Sequence, residues 1–181
     1  MMQGGGEDHG LAIQHGNKAH RRENFREELL KKEHPDNYDA ELLLRLYDMR
    51  RETKLRQGRE WFIREFQAKS YDECMAQVPP GSEKSALFRM TISYWDMAAS
   101  LVNHGLINED LFFENTTEFW IVWDKIRNVA PAMREKYKNP TVWKNLETLA
   151  EKFEQWMAKR APEALGAVRQ RLAGSAPPKA D

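Results

Sequence analysis

The chain reads as all-α: a single-domain bundle of about six to eight amphipathic helices with short loops and flexible termini. Three observations predict this. Apolar residues recur at alternating spacings of four and three, as in Phe88, Ile92, Trp95, Ala99 and Val102, the period of a helix with one buried face. No run alternates convincingly with the period of a strand. Helix start and stop signals bound the periodic stretches: Ser82 and Asn108 as caps, Pro35, Pro79-Pro80 and Gly105 as stops. With 181 residues the chain is one domain by length, able to bury about 70% of its unfolded surface.

The elements follow in order. Residues 1–17, rich in glycine, and 174–181, with Pro177-Pro178, read as flexible tails around a helical domain spanning 18–173. A weakly amphipathic first helix runs from about Lys18 to Glu33 and stops before Pro35. A second opens at Asp36 or Asn37 on a stripe of Leu42, Leu46 and Met49. It ends at Arg56 or passes through Gly58 toward Trp61, Phe62 and Phe66, with a kink or break expected at the glycine. Ser70 and Glu73 form a capping box for a short helix ending before Pro79. Ser82 caps the clearest helix, which has two adjacent apolar stripes and so a central place. It stops at Gly105, with His104 in the last turn and Leu106 as the apolar follow-on.

Asn108 starts the next helix, with Glu109 and Asp110 in a first turn that favours negative charge. Asn115 and Glu118 look like the cap of a tryptophan helix through Trp120, Trp123 and Ile126, which Pro131 should kink or divide. Asn139-Pro140 signals another start, leading into Val142, Leu146, Leu149, Phe153 and Trp156. Ala161-Pro162-Glu163 opens a last short helix ending near Gly174.

Charge is unevenly spread. Between Arg89 and Lys125 no lysine or arginine occurs, while seven aromatics and six acids do. Residues 1–89 hold 16 basic and 16 acidic side chains, and residues 125–181 hold 12 and 6, so a neutral total hides an acidic centre and a basic tail. Zero net charge argues against a dedicated polyanion binder. One cysteine, Cys74, rules out an internal disulfide and favours a reducing compartment. No stretch approaches the ~18 uninterrupted apolar residues of a membrane span. No secretory leader is recognisable either, which makes a cytoplasmic location the default.

Candidate chemistry is sparse. His9, His15, His20, His34 and His104 form no metal-binding spacing, and Cys74 has no partner set. Asp72 and Glu73 flank that thiol and should raise its pKa, the reverse of what a nucleophile needs. No nucleophile elbow or phosphate loop is present. Capping suffices to explain Glu109 and Asp110, and core packing to explain Trp120 and Trp123. From Arg45 to Lys69 eight basic residues stand against four acids, with Arg45, Glu52, Arg56 and Arg59 on the side opposite the leucine stripe, the pattern of a solvated face. No enzyme, no cofactor and no metal are expected. The expected role is a helical protein-interaction or regulatory module, self-association included. Nucleic-acid binding through the second helix is the less favoured alternative, and a small ligand held by aromatics and acids is a third. The candidate interaction or pocket residues are Arg50, Arg56, Arg59, Trp61, Glu109, Asp110, Trp120, Trp123 and Arg134.

Two segments carry a family resemblance. One has Leu46-Tyr47, then Arg50, Arg56 and Arg59, then Trp61-Phe62. The other runs from Leu101 through Asn103-His104-Gly105-Leu106-Ile107-Asn108-Glu109-Asp110-Leu111 to Trp120, Trp123 and Arg134. Together they resemble, over residues 40–155, a family of bacterial helical domains without assigned activity, commonly placed after a membrane anchor. The resemblance implies an all-α fold and no reaction. The sequence departs from it in having no recognisable anchor.

Overall fold

The computed structural model describes residues 34–174. The predicted first helix and the two tails lie outside the described residues, the tails apart from Gly174. Within them nine helices follow one another without strands: α1 (Asn37–Arg50), α2 (Thr53–Arg64), α3 (Tyr71–Gln77), α4 (Glu83–Asn103), α5 (Glu109–Asn115), α6 (Glu118–Ile126), α7 (Ala130–Tyr137), α8 (Lys144–Arg160) and α9 (Ala164–Gly174). Helix α4 is central, packed between α2 and α8, and α6 closes the bundle against α8 and α4. All seven aromatics of the acidic block are buried, from Tyr94 and Trp95 to Trp120 and Trp123. No helix among the described residues is long and apolar enough to cross a membrane.

Several starts and stops are local and sit where the sequence places them. Asp36 and Asp39 make a reciprocal capping box for α1, and Ser82 accepts the Ser85 N–H at 3.1 Å. Asn108 accepts the Leu111 N–H at 2.9 Å to start α5. Gly105, at φ 70°, ends α4 with the Leu106 N–H on Leu101 O at 2.9 Å, although the Leu106 side chain stays exposed. Pro131 lies at the start of α7 and divides the tryptophan helix. Ser70 accepts the Glu73 N–H at 3.2 Å. Glu73 reaches back one residue further than a capping box requires, to the Lys69 N–H at 2.8 Å.

Four expectations are corrected. The long second helix breaks at Arg51–Glu52, where the Glu52 carboxylate accepts the Leu55 N–H at 2.7 Å, and Gly58 lies inside α2. A Cβ on Gly58 would stand 3.1 Å from Thr91 Oγ1 and 3.3 Å from Leu87 O. The glycine therefore lets α2 approach α4, and its helix-propensity cost is accepted for packing. Leu87 O belongs to the backbone of the central helix and yields little. Gly58→Val is thus expected to destabilise the fold by about 1–3 kcal/mol in urea titration, and an unchanged midpoint would show the seam to be loose.

The second correction concerns Asn115, which is the last residue of α5 and donates from Nδ2 to Leu111 O at 2.8 Å; α6 has no side-chain cap of its own. Third, Asn139 caps only a turn, through Thr141 N–H at 2.9 Å, and α8 begins at Lys144 behind Trp143 at φ 55°. Trp143 is held there by its ring contact with Phe88, and the cap comes from α4: Asp96 accepts the Leu146 N–H at 2.9 Å. Burial raises the Asp96 carboxyl above its ordinary range, while the Leu146 and Asn145 hydrogen bonds pull it back. Fourth, the inward stripe of α1 is Asp39, Leu42, Leu43 and Leu46, with Met49 exposed. Asp39 is fully buried because its carboxylate also accepts the Asn108 N–H at 2.6 Å, tying the start of α1 to the start of α5.

Candidate functional site

The candidate residues separate into buried seams and one exposed face. Arg59, expected on a solvated face, points into the bundle. It donates from Nε and Nη2 to both oxygens of Glu118, and from Nη1 to Arg50 O at 3.0 Å. The side chains of this pair are only 16% and 14% exposed. Trp95 adds its Nε1–H to Glu118 at 3.3 Å, and Tyr94 donates its hydroxyl to Leu46 O at 2.6 Å. One acid at the start of α6 thus joins α2 and α4 and, through Arg59, the end of α1. A glutamate so engaged, with a bidentate guanidinium on it, is a fastening and not a free general base.

Three other acids of the block, Glu109, Asp110 and Asp124, meet basic residues of the C-terminal third. Asp124 and Glu154 bind Arg127, both at 3.3 Å, and Arg169 from α9, at 2.7 and 3.3 Å. Glu109 meets Lys152 at 3.3 Å. Asp110 accepts the Trp156 Nε1–H at 2.6 Å, while Arg160 lies over the Trp156 ring at 4.1 Å. Half of the six acids of the centre are thus paired with the basic tail within one chain.

Trp120 and Trp123 are buried. Trp120 donates to Glu154 at 2.9 Å and carries Arg169 over its ring at 4.9 Å, so neither indole forms an open platform. Arg134 binds Val142 O at 3.0 Å and Glu147 at 2.9 Å, clamping the turn before α8. Against burial, which raises it, hydrogen bonds from Lys144 and Arg134 hold the Glu147 carboxyl below its ordinary range. Trp61 is buried against Phe62 and Phe66, and its Nε1–H has no acceptor among the described residues. Trp61→Phe drops that orphaned donor and should shift stability by less than about 1 kcal/mol by urea titration. A loss several times larger would reveal an acceptor for the indole.

Two titratable groups stand outside these pairs. Cys74 is buried, and burial, not its acidic neighbours, pushes the thiol up to about 11, leaving it inert at neutral pH. Lys125 donates to Phe66 O at 2.7 Å, and burial lowers it to about 8 from an ordinary 10.5. Between those two values the native state holds fewer protons than the unfolded chain, so Lys125 makes stability rise with pH across that window. Cys74 and Tyr94, whose folded values are raised to about 11 and 12 by burial, act in the opposite sense above pH ~9. Lys125→Met keeps both, so wild type should gain stability on this variant from pH 8 to 10.5. Parallel profiles would mean that the ammonium is hydrated.

What remains unspent is on α1. Leu44 at 65% and Tyr47 at 51% exposure share one side of it, while Tyr38 at 72% and Met49 at 51% flank the inward stripe on the other side. Arg50 reaches to 5.1 Å over the Tyr47 ring, and Arg56 donates to Arg51 O at 3.2 Å. Of the candidate residues, Arg50 and Arg56 adjoin this face. Arg59, Trp61, Trp120, Trp123 and Arg134 sit in seams; Glu109 and Asp110 line the α5–α8 seam. Leu44 and Tyr47 were not among the candidates, because spacing alone does not say which of two stripes faces inward.

Fold and contacts together define a single-domain all-α protein with much of its charge paired internally and apolar side chains of α1 left exposed. The chain belongs to the family described as DUF4760, a domain of unknown function, which matches residues 35–153. It matches no curated protein and no solved structure.

Proposed function

We propose that the chain is a non-enzymatic helical interaction module whose contact surface is the outward face of α1. One observation carries this: four of the seven large hydrophobic side chains left exposed among the described residues lie on that one helix, and two of them, Leu44 and Tyr47, share one side of it. Apolar surface concentrated in this way is what a docking helix presents. The candidate acids and tryptophans support the reading from the other side, since they are engaged in holding helices together. The test is the double substitution Leu44→Glu with Tyr47→Glu. Both positions face water, so the unfolding free energy from urea titration should change by less than about 0.5 kcal/mol, while binding to a protein partner, or association seen by light scattering, should be lost. Binding that survives both substitutions sinks the reading.

A further inference from the structure

Resting on that reading, we propose the chemistry of the partner: an amphipathic helix whose apolar stripe seats on Leu44 and Tyr47 and whose flanks carry carboxylates for the basic junction of α1 and α2. Ala40, Leu44, Tyr47 and Arg51 step along one line of α1 at helical spacing. The line begins small and apolar, becomes large and apolar, and ends cationic. At its end Arg50 stacks on Tyr47 at 5.1 Å, and Arg56 is drawn back to Arg51 O at 3.2 Å, so guanidinium groups rim the apolar surface.

Elsewhere on these helices exposed arginines have partners: Arg45 pairs with Glu41 at 2.6 Å and Arg64 with Glu60 at 3.1 Å. At the junction Arg50, Arg51, Lys54 and Arg56 make no ion pair among the described residues. The two acids beside them are Asp48 and Glu52, the latter bonded to the Leu55 N–H at 2.7 Å and felt by Lys54, so four cations against two acids leave the junction at a net +2. Uncancelled positive charge next to bare apolar surface selects for acids flanking an apolar stripe. A nucleic-acid backbone would satisfy the arginines but offer nothing to Leu44 and Tyr47. A second α1 laid antiparallel about Leu44 would bring Asn37, not a carboxylate, opposite Arg51.

The experiment is selection of a displayed library of helical peptides against the whole chain. The apolar stripe is fixed and flank positions vary among Glu, Lys, Gln and Ser. Enriched flanks should be dominated by Glu. Binding should vanish on Leu44→Glu or Tyr47→Ser and fall about tenfold or more on Arg51→Glu with Arg56→Glu, and that variant should prefer Lys-flanked peptides. Circular dichroism and urea midpoints certify the fold of each variant. Enriched flanks that are neutral or basic, yet still dependent on Leu44, overturn the partner chemistry and leave the surface reading standing. Peptides indifferent to Leu44→Glu, or no enrichment together with no Leu44-dependent dimer, overturn both. If no peptide is enriched and instead a dimer is lost on Leu44→Glu, or a duplex oligonucleotide on Arg51→Glu, the proposal is overturned in favour of a second copy or of nucleic acid.

Discussion

Arg59→Ala is expected to lower the free energy of unfolding by about 3–5 kcal/mol, the cost of stranding one member of a buried ion pair. Glu118 would be left 14% exposed with its guanidinium partner gone, and Arg50 O and the Trp95 indole would lose a shared network. Glu118→Ala should cost a similar amount for the mirror reason. The double replacement Arg59→Met with Glu118→Leu removes both charges and should recover most of the loss, because desolvating the pair offsets much of its attraction. Urea titration of Arg59→Met, Glu118→Leu and the double closes the cycle. Singles that each cost less than about 1 kcal/mol would place the pair in water, at the surface range.

Trp120→Ala should be comparably damaging, at about 3–5 kcal/mol. The indole is fully buried and bonded to Glu154 at 2.9 Å, with Arg169 over its outer ring face. Trp120→Phe keeps part of the volume and loses the hydrogen bond, and should fall between wild type and the alanine variant. The ranking matters functionally. A tryptophan serving a ligand platform could be removed with little loss of stability and much loss of binding. One serving α6–α8–α9 packing shows the reverse. A near-neutral Trp120→Ala would reopen the platform reading.

The sequence was most legible where the physics is local. Ser82, Asn108, Gly105 and Pro131 act within one turn of themselves, and each sits where its chemistry says. Misreadings arose where a distant residue intervened. Asp96 caps α8 from fifty residues away, so local signals moved the start of that helix to Asn139. Gly58 is a packing notch against Thr91 and Leu87, invisible to a rule that scores glycine by propensity. Asn115 resembled a cap for the next helix because Glu118 stood at the right spacing, yet that glutamate is drawn away to Arg59.

The candidate site shows the same division. The acidic block was visible as composition, but that four of its six acids are met by Arg59, Arg127, Lys152, Arg160 and Arg169 is a matter of topology. On α1, Asp39 is buried by its bond to Asn108. That turns the helix so that Leu44 and Tyr47 face water. A polar residue at the centre of an inward stripe gives no periodicity signal, and the exposed face was therefore missed.

The most direct test is amide hydrogen exchange of the whole chain with and without a Glu-flanked helical peptide selected as the proposed partner. Protection confined to residues 37–56, spanning α1 and its junction with α2, is the result the structure leads us to expect. Protection centred instead on α5 and α6, over residues 109–126, would mean that the acidic aromatic block is the contact surface after all.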